Sequence, residues 1–405
     1  MLRFIHCADL HLDRSFEGLY LMNERLKELP EANEKVLESI VSVAIHEAVD
    51  FVLLAGDTFH QNRPSLKTQH QFFTQMSRLA AENIPVYLSF GNHDYYEEER
   101  YWFDFPQNVH LFKDETVQTM TGQTARGISY SISGFSYRTS WLSQSKVAEF
   151  PTRQGDYHIG MYHGEQQSEH YAPFSVQEMK QKGYDYWALG HIHVATELSQ
   201  QPPIIYPGTP QGHTQKEKVT PGILLVTLTQ GKSKWEAIPV QQISWQEIPL
   251  SMLGVTNQKT ALEKIQSLFL TSEKALIKLV FSETDHLPKN WLNPKEKSEL
   301  IAYLNHELQR QAFGQRIYQM EEIEVVVDQQ LSLNASPLLK QELFQQYQEL
   351  GIFRGMMEEL LQHPIAGKIT KIETLQQAIL EAASKELEQE YVWRGSDNET
   401  YSRRN

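Results

Sequence analysis

Aspartate, histidine and asparagine gather where the apolar runs of this chain stop. Asp9-Leu10-His11 follows Leu2 to His6, and Gly56-Asp57-Thr58-Phe59-His60 follows Phe51 to Ala55. Gly91-Asn92-His93-Asp94 follows Pro85 to Phe90, and Gly190-His191-Ile192-His193 follows Tyr186 to Leu189. Such polar groups are costly to hold at the end of a buried strand, so their recurrence there points to chemistry. Together, carboxylate, imidazole and amide oxygen form a borderline ligand set suited to manganese, iron or zinc. Asp9 and His11, on an extended segment, would point to one side and chelate one ion, and His191 with His193 would do the same. Asp57 has two oxygens that can bridge two ions, Asn92 adds a neutral oxygen, and His163, after Tyr157 to Tyr162, adds an imidazole. Two divalent ions roughly 3.5 to 4 Å apart lower the pKa of a shared water and clamp the attacking and leaving oxygens of a phosphoryl transfer. Hydrolysis of a phosphate ester is the chemistry expected.

His93 follows a ligand candidate and can face the site without binding metal. Asp94 is expected to hold its ring nitrogen and keep the imidazole charged, as a donor to the phosphate or the departing oxygen. Each cluster has a plain structural reading as well. A lone Asp-x-His is a common strand-end turn, and His93 could be a buried structural histidine. Four clusters in this order leave little room for chance. His46, His110 and His158 stand outside any cluster.

The elements that must position these groups alternate. Between Leu2 and about Thr229, short apolar runs are separated by helical patterns at Glu31 to His46, with Val36, Ile40, Val43 and Ala44 on one stripe, and at Leu66 to Ala81, with Phe72, Phe73, Met76 and Leu79. After Asn108 the pattern is β-rich, at Val109 to Phe112, Ile128 to Phe135, Tyr157 to Tyr162, Ile204 to Tyr206 and Gly222 to Leu228. The expectation is an α/β fold of two sheets packed face to face with helices outside, and ligands beyond the strand ends. The pattern breaks around Pro239 to Pro249. A small α+β unit follows, with helices at Asn257 to Leu270 and Pro294 to Ala312 and strands at Ala275 to Phe281 and Glu322 to Val327. From Pro337 the chain reads as helical, with Leu339, Leu343, Tyr347 and Leu350 on one face and Ile372, Leu375, Ile379 and Ala382 on another.

With 405 residues, two or three domains are expected. No apolar stretch reaches the length of a membrane span, and Arg3, His6 and Asp9 come too soon for a signal peptide, so a cytoplasmic protein is expected. The single cysteine, Cys7, excludes an internal disulfide and reads as a small packing residue rather than a catalytic thiol. A formal charge of −14 argues against a surface coated for non-specific nucleic-acid binding, though a local basic groove or bound metal ions could reverse the sign locally.

The motifs Asp9/His11, Gly56/Asp57, Gly91 to Asp94, His163 and Gly190 to His193 resemble, in order, those of the calcineurin-like metallophosphoesterases. Phe4 to Leu12, Gly56 to His60 and Tyr206-Pro207-Gly208-Thr209-Pro210-Gln211 are most similar to the SbcD-like DNA repair exonucleases. The resemblance covers about the first 230 residues and implies a metallophosphoesterase sandwich. It implies one ion on Asp9, His11, Asp57 and His193 and another on Asp57, Asn92, His163 and His191, with manganese expected. His60 would orient the DNA phosphate, or else simply pack or cap a helix. The resemblance further implies a nuclease domain at 1–235, a capping domain at 250–328 and a helical region at 337–393 that binds an SbcC-like, SMC-type ATPase. It also implies DNA as substrate and a possible homodimer. Arg14, Arg63, Lys67, Arg138, Lys216 and Lys218 could contact phosphates or be ordinary solvated charges. The rival readings are a phosphoesterase for a small nucleotide or phosphoprotein, and a DNA-end-binding scaffold with a vestigial site.

Overall fold

In the computed structural model, residues 1–17, 29–217, 222–267, 275–284, 286–288, 291, 294–310 and 317–325 are described, together with Phe353, Gln376, Ile379 and Leu380. The chain divides into two compact units, Met1–Val325 and Val326–Asn405. The proposed docking faces at Leu339 to Leu350 and Ile372 to Ala382 lie, apart from Gln376, Ile379 and Leu380, outside the described residues.

The first unit is built on two six-stranded sheets. Strands β1 (Leu2–Cys7), β2 (Phe51–Ala55), β3 (Val86–Ser89) and β4 (Val109–Leu111) run parallel. On the far side of β1 this sheet continues antiparallel with β11 (Ile223–Thr229) and β12 (Lys232–Ile238). The second sheet has the order β5 (Gln118–Gln123), β6 (Ser129–Gly134), β7 (Tyr157–His163), β8 (Tyr186–Gly190), β10 (Pro203–Tyr206), β9 (Thr196–Gln200).

The continuous apolar runs have a simple cause: their strands are buried on both faces. Phe51, Leu53 and Ala55 of β2 face the second sheet, in one core with Phe4, Tyr130, Ile159, Met161 and Tyr186. Val52 and Leu54, pointing the other way, pack with helices α1 (Leu29–His46) and α2 (Leu66–Ala81) through Val36, Ile40, Phe72 and Met76. Phe135, Tyr162, Trp187 and Leu189 cover the outer face of the second sheet with Met179 of the short helix α3 (Val176–Gln181). Cys7 is buried, and burial raises its thiol pKa, as suits a packing residue.

The strands that the sequence conceals are edges. β5, β9 and β12 alternate between exposed and half-buried positions and carry too few apolar residues to register as runs. The expected break at Pro239 to Pro249 is partly strand as well. Among the described residues, β13 (Ser244–Ser251) pairs only with β14 (Ala275–Ser282), which in turn pairs with β15 (Ile317–Val325), so Pro249 lies on an edge where a missing N–H is tolerated. Helices α4 (Gln258–Ser267) and α5 (Pro294–Arg310) supply Ile265 and Leu304 to the core of this third, parallel sheet. Among the described residues, no helix is long and apolar enough to cross a membrane.

Phe4 and Phe51 stack at 4.9 Å, and Tyr186 of the opposite sheet meets Phe4 edge-on at 5.4 Å. Phe51→Ala is therefore expected to destabilise the first unit by about 3–5 kcal/mol, read as a lower urea midpoint.

Candidate metal centre

The loops that end β1, β2 and β8 hold the clustered residues in strained backbone. Asp9, His11, Asp57 and His191 have φ of +53°, +44°, +51° and +104°, in the left-handed region that L-residues avoid. Each such residue costs on the order of 1–3 kcal/mol unless its surroundings fix it, and strain of this kind clusters at functional sites. Here neighbouring loops fix it. The backbone N–H groups of Asp9, His11 and Leu12 donate to the carbonyls of Gly56, Asp57 and Thr58, each at 3.1 Å. Asp9 and His11 are thus not on an extended segment: β1 ends at Cys7, and loop-to-loop pairing, not pleat alternation, aims their side chains.

A group of His11, His60 and His93 adjoins two groups that each contain an aspartate and approach each other at Asp57. In one, Asp9, His11 and His193 have ligand atoms within 4.8 Å of one another, with Nε2 of His11 and Nε2 of His193 3.0 Å apart. In the other, Asp57, His163 and His191 converge likewise. Asn92 Oδ1 lies 3.2 Å from His163 Nε2 and 3.0 Å from His191 Nδ1. Asp57 Oδ2 is 3.8 Å from His11 Nε2 and 3.4 Å from His163 Nε2. Strand alternation would aim His191 and His193 at one ion and the family resemblance assigns them to two; they point into different groups, with the left-handed turn at His191 between them.

Protonation follows from burial. Burial holds the His11 imidazole well below its usual pKa, and burial beside the His163 charge takes His191 down to about 3, so both offer lone pairs. Burial would raise Asp57, but the imidazoles of His163, His11 and His93 hold it below the ordinary carboxylate range. His163, desolvated yet facing Asp57, is raised to about 9. Two imidazole nitrogens 3.0 Å apart, beside two buried carboxylates, form a donor set that divalent cations fit.

Three glycines make room for His163. A Cβ at Gly56 would lie 2.2 Å from its Nδ1, one at Gly91 2.2 Å from Asp57 Oδ1 and 2.6 Å from His163 Nε2, and one at Gly190 2.0 Å from the Ala55 carbonyl oxygen and 2.8 Å from His163 Nδ1. The glycines of three separate motifs thus leave space for the His163 ring and its neighbours Asp57 and Ala55, and His163 Nδ1 donates to the Ala55 carbonyl at 3.0 Å.

His60 and His93 lie beside the first group. Their rings stack at 4.6 Å and 24°, and each meets His11 edge-on at 5.2 and 5.1 Å. Asp94 does not hold His93, because its carboxylate already accepts from the backbone N–H groups of Gly91 (2.7 Å), Thr58 (2.8 Å) and Phe59 (3.3 Å). It clips the β2 and β3 loops together. His93 Nδ1 faces the backbone oxygen of His60 at 3.3 Å instead, and its backbone N–H donates to Asp57 Oδ1 at 3.0 Å.

Sequence reading missed Glu217. Its carboxylate accepts from His193 Nδ1 at 2.5 Å, from the backbone N–H of His213 at 2.7 Å and from Arg14 Nη1 at 2.9 Å. This leaves His193 Nε2 turned toward His11. In the run Gln215-Lys216-Glu217-Lys218 the acid looks like one more solvated charge, and only burial distinguishes it. Of the candidate phosphate-binding cations, Arg14 is paired with Glu17 and Glu217, Lys67 with Glu34, and Arg138 donates to the Lys113 carbonyl and lies over Tyr96. Lys218 lies outside the described residues.

Two Asp- and His-rich donor groups with the Asp57 carboxylate facing both, beyond the strand ends of a two-sheet α/β sandwich, define a metal-dependent phosphoesterase. Comparison with known proteins agrees. Residues 2–195 match the family model described as calcineurin-like phosphoesterase. Over 327 residues the chain is 32% identical to the uncharacterized metallophosphoesterase YhaO of Bacillus subtilis, covering 78% of this chain and 79% of that protein. It is 28% identical over 233 residues to the DNA double-strand break repair protein Mre11 of Methanopyrus kandleri, covering 52% of this chain and 49% of that one. It is 24% identical over 238 residues to the protein of the same name from Archaeoglobus fulgidus, covering 53% and 52%. The chain belongs to the calcineurin-like metallophosphoesterase family, whose members bind two divalent metals.

Because Glu217 orients a donor ring, Glu217→Gln is expected to weaken divalent-cation binding roughly 10- to 100-fold with the fold retained. Calorimetric titration with Mn²⁺ measures this, and unchanged affinity would limit Glu217 to bracing its own loop.

Proposed function

We propose that the protein is a manganese-dependent DNA phosphodiesterase, an exonuclease of DNA-break repair acting with an SbcC-like, SMC-type ATPase. In this reading Asp9, His11, Asp57 and His193 hold one ion, and Asp57, Asn92, His163 and His191 hold the other. The observation that carries it is the His60–His93 stack beside Asp57 and the donor groups. The archaeal relatives named for DNA double-strand break repair support DNA as the substrate. The third sheet would cap the nuclease domain, and residues 337–393 would dock the ATPase.

Two divalent ions, when bound, supply an acidified water and positive charge beside the phosphate. The remaining work falls to the chain. His93 donates Nδ1–H to the His60 carbonyl, so only the imidazolium form, with a second proton on Nε2, can give that proton to the departing oxygen and be left as the neutral ring. His60, stacked on that ring, seats the backbone phosphate and limits the rotation of His93. Asp94 holds the loops that carry both histidines at one separation.

His93→Ala is expected to keep both ions, counted by metal analysis, and the manganese-loaded variant to lose about 10²- to 10⁴-fold in hydrolysis of DNA substrates. Full activity would remove His93 from the chemistry. Asp57→Ala, by contrast, should lose both ions. Blunt, overhanging and hairpin DNA, compared with cyclic nucleotides and phosphopeptides, sets the substrate; turnover confined to the small esters would overturn the DNA assignment. Pull-down of the ATPase by the full chain but not by one lacking residues 337–393 is expected, and equal capture by both would refute the docking role.

A further inference from the structure

A line of aromatic rings leads out of the metal centre. Tyr171 lies against His191, with ring centroids 4.5 Å apart at 39°. Its neighbour His170 meets it edge-on at 6.4 Å and stacks, at 5.3 Å and 27°, on Trp141. Trp141 is 65% exposed.

The backbone beneath these rings is fixed. Leu142 donates its N–H to the His170 carbonyl at 2.8 Å, and Ala172 donates back to the Leu142 carbonyl at 2.6 Å. The side chain of Leu142 is buried, and Ser168 Oγ accepts from the N–H groups of His170 and Tyr171. Single exposed apolar side chains are ordinary on protein surfaces. What sets Trp141 apart is its near-parallel backing by a ring that belongs to a line ending on a candidate metal ligand.

The charge nearby does not suit a phosphate. Glu165 places a carboxylate 3.9 Å from His191 Nε2, and Arg138, three residues before Trp141, is turned to the Lys113 carbonyl and Tyr96. A ligand on this wall would be held by a π-face rather than by charge. Resting on the nucleic-acid reading above, we infer that Trp141, backed by His170, is a stacking platform for an unpaired nucleobase of the strand whose phosphodiester lies at the metal centre. Every base has a π-face, so such a platform selects single-stranded or frayed ends without selecting sequence. It also supplies affinity that a protein of net charge −14 cannot draw from general attraction to a polyanion.

The test compares the wild-type protein, Trp141→Ala and Trp141→Phe on a single-stranded oligonucleotide and on one of equal length with abasic residues at both ends. On the normal strand, Trp141→Ala should raise KM roughly five- to a hundredfold, the size of one lost base–aromatic stack, and Trp141→Phe should restore most of it. On the abasic strand, the ratio of variant to wild-type KM should shrink toward one. If wild-type protein degrades DNA and Trp141→Ala keeps wild-type KM on both strands, or raises it equally on both, the platform is overturned and the nuclease reading stands. If wild-type protein degrades blunt or hairpin DNA but neither strand, the platform is overturned and the nuclease reading stands; if it hydrolyses small phosphodiesters but neither the strands nor the duplex ends, the nuclease reading fails and takes the platform with it.

Discussion

One buried carboxylate organises this molecule. Asp57 is 1% exposed, takes the His93 N–H on one oxygen and turns the other toward His11 and His163. A charge so far from water is unfavourable unless partners compensate for it. Here the partners are imidazoles, and the attraction acts both ways: Asp57 stays ionised, and His163 is raised to about 9. Donors from β1, β7, β8 and the loop after β3 must therefore surround β2, which requires two sheets whose strand ends open at one rim.

Holding those donors together strains the backbone. The left-handed conformations at Asp9, His11, Asp57 and His191 persist because the loops after β1 and β2 hydrogen-bond to each other and the Asp9 carboxylate accepts the His191 N–H. The same crowding explains the glycines: a side chain at Gly56, Gly91 or Gly190 would collide with the His163 ring. Around the donors stand groups that orient without donating. Asp94 clips two loops, Glu217 turns His193, and His6 joins the sheets through Tyr186 and the Leu189 carbonyl. Such supporting groups set ligand geometry and basicity.

Much of this was legible in the sequence. Doubly buried strands leave long apolar runs, so β1, β2, β7 and β8 could be read, and polar clusters at their ends marked the rim. Helices α1 and α2 announced themselves through the 3.6-residue period of Val36, Ile40, Phe72 and Met76. The edge strands β5, β9, β12 and β13 stayed hidden, since a strand buried on one side or neither needs few apolar residues.

By itself the sequence determined the donor types and the strand ends that carry them, because desolvation makes such groups costly in a core unless partners compensate and apolar runs mark where the strands stop. Only the tertiary structure decided that loop-to-loop pairing rather than strand alternation aims Asp9 and His11, that Asp94 serves the backbone rather than His93, and that Glu217 is buried against His193. Those facts depend on φ angles and on contacts between residues distant in the chain, which residue type and local spacing do not encode.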